Sequence, residues 1–467
     1  MSKNMEPNNK PKRLSSYFVS VETTRRFYGA LATFFSLASS FFIISSLSVF
    51  QFGLYQLLLS FIAILQGFNA GIVANVVVVE IRRYFNTHKL KEAKQLFLES
   101  AFVRISLALV LFLVAFLGAE VIARFYDQDI SSIIKIGAIL IIIHTLQSVQ
   151  TALLKPALIF SYWASPAIRE VTKFLLLAVL FFYSTLSILN VVTVHIIGEA
   201  VALVVITLWS FIKAYGHFFG GLKSERRLTM FAEILKKYGG FIFLRYGLAQ
   251  LTKNSMPWLI KFFINVEAVA FYSLSLNLVA FVEKLMPTQG IGEVLLLRID
   301  NKNQASFIFT KAVKYTVWLG SILFVLGLVV IPNVIPLLFP NYVPALPLVI
   351  IMLMVLPIYG TYKLLKTTLT ILREYKILTL RLFNEVIILP LGSLIFLPTL
   401  GILGAGVVYG IVYIERVVLF YSQLVKKYPE FKLKWGGLMK FDSLDKEIIS
   451  KVGRQFIMAA RSFFVKT

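Results

Sequence analysis

The sequence predicts an all-α integral membrane protein of about twelve transmembrane helices, set in two parallel six-helix lobes around a central cavity. Three observations predict it. The chain is 58% hydrophobic with a mean hydropathy of +0.80, well above the roughly 45–50% apolar usage of soluble domains. About twelve windows each reach the ~20 apolar residues that a helix needs to cross the hydrocarbon core. The second half of the chain also echoes the first: Tyr55 and Tyr272 lie 217 positions apart, each opening a long apolar segment.

The elements follow in order. A polar, basic tail (1–26) precedes spans at 27–49, 54–79, 100–123, 132–155, 166–187 and 190–214, which form a first lobe over 27–214. A basic connector (215–238) leads to spans at 239–263, 268–296, 313–335, 344–366, 378–398 and 400–425, a second lobe over 239–425, followed by a basic amphipathic tail (426–467). Small residues at Ala38-Ser39-Ser40 imitate a signal cleavage site, but the apolar stretch around them is too long. With the amino terminus in the cytoplasm, 39 of the 47 Lys and Arg fall in the inside segments 1–26, 80–98, 155–173, 213–237, 298–314, 363–381 and 426–467, which include the span ends. That asymmetry places both termini inside a plasma (inner) membrane. It also accounts for the net charge of +24 without nucleic acid.

Two further matches keep nearly the same offset: Arg124-Phe125-Tyr126-Asp127 with Leu338-Phe339-Pro340-Asn341, and Ile197-Gly198-Glu199 with Tyr413-Ile414-Glu415. Six spans per half make the repeats parallel. The outer connectors are too short for a catalytic domain, the longest being 124–131 and 336–343. In the connector, Met230, Phe231, Ile234, Leu235 and Tyr238 recur at helical spacing beside Arg226, Arg227, Lys236 and Lys237. This predicts an interfacial helix on anionic inner-leaflet lipid. Ile449, Val452, Phe456, Ala460 and Phe463 predict the same for the tail.

No chemistry of the enzyme kind is encoded. Cysteine is absent, the four histidines (His88, His144, His195, His217) are scattered, and no phosphate-cradling glycine motif occurs. A non-enzyme without cofactor or metal is expected.

Ionisable groups inside a membrane are costly and therefore informative. In the seventh span Gln250, Asn254, Pro257 and Lys261 lie within about 40° of one line, with Tyr246 and Lys253 at its margins. The register-equivalent face of the first span carries Thr33, Ser36 and Ser40. Gln66, with Asn69 one turn on, matches the position of Glu283, and Lys284 adjoins it. His144, Gln147, Ser148, Thr151 and Lys155 form another polar face in the fourth span, where His144 either relays protons or bonds helix to helix. Arg245 points to lipid phosphate as readily as to a cavity, and Glu199 and Glu415 read as structural contacts.

Twelve spans, the duplication, Phe52-Gly53-Leu54-Tyr55 at the second span and Gly401-Ile402-Leu403-Gly404-Ala405 before the last together resemble the polysaccharide flippases of the multidrug/oligosaccharidyl-lipid/polysaccharide exporter superfamily. The resemblance covers about residues 20–425 and implies translocation of polyprenyl-diphosphate-linked oligosaccharide for O-antigen, lipopolysaccharide, capsule or a related polymer. Its implied partners are that substrate, membrane lipids, and a polysaccharide polymerase or glycosyltransferases. On this reading Lys253, Lys261 and Lys284 attract the diphosphate. Thr33, Ser36, Ser40, Gln66, Asn69, Gln250 and Asn254 bond sugar hydroxyls, and Glu283 and His144 are candidates for coupling. Two alternatives are a cation-coupled multidrug exporter, which Glu283 keeps open, and a lipid-linked peptidoglycan-precursor flippase, whose family pattern includes cavity cations on the first span that this chain lacks.

Overall fold

The computed structural model describes residues 10–70, 74–125, 130–183, 186–222, 229–286, 302–433, 441–442 and 445–446. Among these, regular structure is helical throughout: α1 (Lys10–Ser46), α2 (Val49–Ala70), α3 (Ala74–Asn86), α4 (Leu90–Phe125), α5 (Ser131–Gly137), α6 (Ile139–Leu154), α7 (Ala164–Tyr183), α8 (Ile188–Ser210), α9 (Gly216–Phe219) and α10 (Thr229–Ile234). Then come α11 (Gly240–Asn254), α12 (Met256–Phe263), α13 (Val266–Lys284), α14 (Lys302–Leu338), α15 (Leu346–Leu353), α16 (Leu356–Ile371), α17 (Tyr375–Leu400) and α18 (Ile402–Lys427).

Among the described residues each apolar window falls on a helix or a helix pair. Among the described residues nine helices are by themselves long and apolar enough to cross a membrane, and Pro340–Leu353 with Leu356–Ile371 adds a tenth as a broken span. The two remaining windows differ for stated reasons. Helix α7 carries Arg169, Glu170 and Lys173 within 20 residues, and the seventh window is cut at Ser255 into α11 and α12, of 15 and 8 residues. Pro257 causes that cut, because it offers no N–H to the Lys253 carbonyl, while the Trp258 N–H turns to Ser255 O at 3.0 Å.

Several element lengths keep the offset expected between the halves. Helices α4 and α14 have 36 and 37 residues, α6 and α16 have 16 each, and α2 and α13 begin at Val49 and Val266. Val110, Leu113, Val114, Leu117 and Val121 on α4, and Ile322, Val325, Leu326 and Val329 on α14, recur at helical spacing and are all exposed. In water such stripes would drive association. In hydrocarbon such stripes match the surrounding solvent.

Contacts divide the chain into two units, one of Met1–Leu278, Val330–Met352 and Leu382–Tyr409, the other of Val279–Val329, Leu353–Arg381 and Gly410–Thr467. In the first, α1 packs on α7, α7 on α8, α6 on α4 and α8, and α11 on α2. A Cβ at Gly53 would stand 2.2 Å from the Val266 carbonyl oxygen, so only glycine lets the start of α2 approach α13 this closely. Buried Tyr342 packs edge-on between Phe52 and Phe271 beside that crossing, with ring centroids 6.0 and 6.1 Å away. In the second unit Gly320 admits the Leu356 carbonyl of α16, where a Cβ would meet it at 2.3 Å. Tyr362 stacks on Phe420, 6.0 Å between centroids at 19°.

The connector corrects the sequence reading. Phe231 is 1% exposed in a cluster with Val77, Ile81, Leu96, Phe97 and Phe219, against which Met230, Ile234 and Leu235 also pack. The Phe231 N–H donates to Glu99 Oε2 (2.7 Å), and Lys94 Nζ donates to the Phe219 and Leu222 carbonyls (3.2 and 2.6 Å) at the end of α9. The apolar face that was expected to meet lipid is covered by the protein's own α3 and α4. The amphipathic stretch of the tail, 449–463, lies outside the described residues.

Gly53→Ala should lower the thermal midpoint of the purified protein in detergent, because a Cβ must displace backbone at a cost of about 1–3 kcal/mol or more. Gly118→Ala in α4, where nothing lies within 4 Å, should leave it unchanged. Equal midpoints for the two variants would contradict the close crossing of α2 and α13.

Candidate functional site

Among the described residues of the first unit, two polar cavities stand out, and each is lined by one of the two charged windows. The smaller, about 250 Å³, takes Gln56, Leu59, Ser60 and Ala63 from one face of α2, Lys253, Asn254 and Pro257 from the break between α11 and α12, and Tyr272, Ser273, Leu276 and Asn277 from α13. Spacings of three and four residues put each set on a single helix face. Lys253 is exposed and has neither an ion pair nor a hydrogen bond among the described residues. Its ammonium therefore adds an uncompensated positive charge to a wall otherwise made of amides, hydroxyls and apolar carbon. The break in the helix also leaves the Lys253 carbonyl without its usual i+4 partner, a departure from regular helix that membrane proteins tolerate where it faces a cavity.

The larger cavity, about 520 Å³, is lined by Arg25, Tyr28 and Gly29 of α1, His144, Gln147, Ser148 and Thr151 of α6, then Lys155, Tyr162 and Trp163, Ser165, Pro166 and Arg169 of α7 and its approach, and Ile206 of α8. Behind it Glu199 of α8 is 2% exposed. His144 Nε2 and Arg169 Nη1 both stand 3.1 Å from its Oε1, and Gln147 Nε2 donates to its Oε2 at 2.9 Å. His195 Nε2 lies 3.7 Å from the same carboxylate, and His195 Nδ1 shares a 2.8 Å hydrogen bond with the Tyr55 hydroxyl. Arg169 also pairs with Glu170 (2.8 Å), which holds Lys173 (3.0 Å). Gly198 makes room for Lys173, whose Cγ would lie 2.6 Å from a Cβ there. The group is a closed network of two carboxylates, two strong cations and two histidines, tied to a tyrosine. Outside it, Arg104 donates to Ser148 Oγ at 2.6 Å, Lys155 lies 5.7 Å from the Tyr162 ring centroid, and Trp163 stacks on Phe160.

The structure brings some of the sequence-predicted residues together and disperses others. Lys253 and Asn254 share the smaller cavity, and His144 lines the larger. The Gln250 side chain accepts from Asn254 Nδ2 at 3.0 Å, and its Cβ would be 2.4 Å from a Cβ at Gly67, so it belongs to the α2–α11 contact. Gln66 donates to the Ile141 carbonyl (2.7 Å), and buried Asn69 donates to the Thr145 hydroxyl, which holds α2 on α6. Thr33 and Ser36 are half-buried on α1 outside both linings, and the Ser40 hydroxyl donates to the Ser36 carbonyl at 2.8 Å. Lys261 is half-buried on α12. Glu283 and Lys284 belong to the second unit, where the Tyr413 hydroxyl donates to Glu283 at 3.4 Å and Lys284 is exposed at the end of α13.

Sequence reading missed Gln56, Ser60, Ser273 and Asn277, although polar pairs four apart in two facing spans were a usable signal. It placed Arg25 in a tail outside the first span. Helix α1 runs unbroken from Lys10 to Ser46, and Arg25, paired with Glu22 at 2.7 Å, lines the larger cavity. Glu199, read as a structural contact, is the centre of the ionic network.

Comparison with known proteins agrees with the architecture. No curated protein matches by sequence. Among solved structures, the Lipid II flippase MurJ in an inward closed conformation superposes with a TM-score of 0.70 at 16% identity, over 88% of this chain and 89% of that one. An inward-facing multidrug resistance MATE family transporter of the MOP superfamily gives 0.69 at 14%, over 85% and 95%. A MOP superfamily transporter from Pyrococcus furiosus, described as having a binding pocket of reverse polarity, gives 0.59 at 12%, over 89% and 96%. At such identities the likeness is one of fold. The sequence profile of a family described as polysaccharide biosynthesis protein matches residues 46–297, more than half of the chain. This chain belongs to that polysaccharide biosynthesis protein family.

Proposed function

We propose that the protein is a flippase that carries polyprenyl-diphosphate-linked oligosaccharide from the cytoplasmic to the outer leaflet of the plasma membrane, by alternating access, for surface polysaccharide synthesis. One observation carries the reading. A lysine with no counter-anion among the described residues faces a cavity of amides and hydroxyls at a helix break, in a chain of a polysaccharide biosynthesis protein family. A diphosphate supplies the missing anion, and in a cavity walled by low-dielectric protein the ammonium attracts it more strongly than in water. Gln56, Ser60, Asn254, Ser273 and Asn277 both donate and accept, as sugar hydroxyls require. The prenyl chain stays in lipid.

The other candidates take graded places. Lys261 is a further cation for the diphosphate, whereas Lys284 belongs to the second unit and takes no part in this cavity. Gln250 sets the position of Asn254, while Gln66 and Asn69 brace α2 and support the cavity face formed by Gln56 and Ser60. Thr33, Ser36 and Ser40 lie on a helix that changes neighbours if the lobes rock. His144 with Glu199, and Glu283 with Tyr413, are the carboxylate-linked groups through which an ion could bias that motion. The enclosed Glu199 network is the stronger of the two, because any change in its protonation must be answered by Arg169 or a histidine. Partner polymerases or glycosyltransferases would supply and consume the cargo.

Lys253→Ala should reduce surface-polymer export about 10- to 100-fold at unchanged membrane abundance, the range expected for losing hydrogen bonds of about 1.5–3 kcal/mol to a charged group. Lys253→Arg should retain part of the export. Normal export by the alanine variant sinks the anion assignment. Because the chain has no cysteine, single cysteines can be read cleanly. Ser60→Cys and Asn277→Cys should react with a membrane-impermeant thiol reagent and be protected by added lipid-linked oligosaccharide, whereas Leu113→Cys should not react. Unprotected labelling would leave a wet cavity with no claim on this cargo. Glu199→Gln should slow transport without weakening binding of that lipid to the purified protein. Loss of binding instead would make the network part of the cargo site.

A further inference from the structure

The second unit holds an ionic cluster that the transport reading leaves unused. Lys311, Lys314, Tyr315 and Trp318 follow one another at helical spacing on α14, so one face of an apolar helix carries two ammonium groups, a phenol and an indole. The Lys314 side chain is fully buried, and 11% of the Lys311 side chain is exposed. Their counter-charges come from the tail. Lys314 Nζ lies 2.6 Å from Asp445 Oδ2, Lys311 Nζ lies 3.0 Å from Asp445 Oδ1 and also pairs with Asp442, and the Tyr315 hydroxyl donates to Asp445. Phe441 stacks on Trp318 with ring centroids 5.9 Å apart at 8°.

The tail segment is shaped for this contact. The Asp442 N–H donates to Asp445 Oδ2 at 2.9 Å and the Asp445 N–H to Asp442 Oδ1 at 3.1 Å, a reciprocal pair of the kind that starts a helix. Burial opposes ionisation of Asp445, but the hydrogen bonds from Lys314 and Tyr315, with those of the Asp442 backbone and Lys311, outweigh it and hold the carboxyl well below the usual carboxylate range. The tail therefore presents ionised oxygens to two lysines on a membrane-spanning helix.

A buried ammonium stripped of its anion is costly, so this face of α14 needs an anion whether or not the tail is docked. Asp442 is the accessible end of this contact, its side chain 47% exposed, while Asp445 is fully buried. A replacement must be acidic, must accept from three donors at once, and must be concentrated beside a membrane helix. A lipid phosphate meets all three conditions and offers more acceptor oxygens than one carboxylate. The tethered tail acts at an effective concentration on the order of mM, within reach of a bilayer rich in anionic lipid.

We propose that Lys311, Lys314 and Tyr315 form a site for the phosphate of an anionic membrane lipid, and that Asp442 and Asp445 occupy it as a built-in counter-anion, so that tail and lipid compete. The site is independent of the flippase reading, and either can fail alone. The test uses the full chain with spin labels at Ile322→Cys and Lys446→Cys in lipid nanodiscs. In phosphatidylcholine a single short distance is expected, giving way to a longer, broader population as phosphatidylglycerol is added. Lys311→Gln/Lys314→Gln should show the longer population in both lipids. Asp442→Asn/Asp445→Asn should show it without phosphatidylglycerol and should co-purify with more of that lipid than the unaltered chain. A short distance that persists at every phosphatidylglycerol content, or no extra lipid on the aspartate variant, overturns the proposal. Displacement of the tail by a polyprenyl phosphate in phosphatidylcholine, where phosphatidylglycerol has no effect, overturns it in favour of the transported lipid as ligand.

Discussion

The cost of charge in hydrocarbon governs this protein. A helix that crosses the bilayer satisfies its backbone internally, but it cannot solvate a lysine or a glutamate. Each such group must find a partner, reach water, or be absent. Most of the chain takes the last course, and α4 and α14 present bare stripes of Val, Leu and Ile to lipid. Exceptions stand on α7, on the α11–α12 pair and on the Lys311–Lys314 face of α14, and the first two line the cavities. The two have answered the constraint differently: α7 buries its charges in the Glu199 network, and α11 turns Lys253 to a cavity at a proline-made break. The helices least able to cross a membrane by composition are thus the ones around which the polar cavities are built.

The two halves share a frame and not a chemistry. Matching lengths for α4 and α14 and for α6 and α16 show how few insertions separate them. In the first half, α6, α7 and α8 hold both carboxylates and both histidines of the network, with Gln147 bridging to Glu199. The corresponding stretch of the second half sets tyrosines and arginines together: Arg416 lies 4.5 Å from the Tyr413 ring centroid, and Arg381 Nη1 donates to the Tyr362 hydroxyl at 2.6 Å. A transporter whose halves carry different polar groups can bind cargo through one set and respond to an ion through another, which gives duplicated architecture a direction.

Much of this was legible in the sequence, for identifiable reasons. Most of the spans and the polar face from His144 to Lys155 follow from helical periodicity. Lys253 stood out because isolated charge is expensive there. What periodicity does not report is which neighbour a polar face meets. Gln66 and Asn69 looked like cavity groups and are bonded to α6, because a buried amide takes the first acceptor within reach. Phe231 looked like a lipid contact and is packed under α4, since a moderately apolar face suits a protein surface as well as a membrane interface. Arg25 was assigned to a tail because composition changes near residue 26, although α1 itself does not stop there.

The central claim is that the cavity beside Lys253 receives a lipid-linked, anionic oligosaccharide. Photo-crosslinking tests it most directly, with a polyprenyl-diphosphate oligosaccharide carrying a photoreactive group on its first sugar, bound to the purified protein and mapped by peptide mass spectrometry. Saturable crosslinks on α2 between Gln56 and Ala63 and on α13 between Tyr272 and Asn277, competed by unlabelled lipid, are the result this account predicts. Crosslinks confined to the exposed stripe of α4, unaffected by competitor, would contradict it.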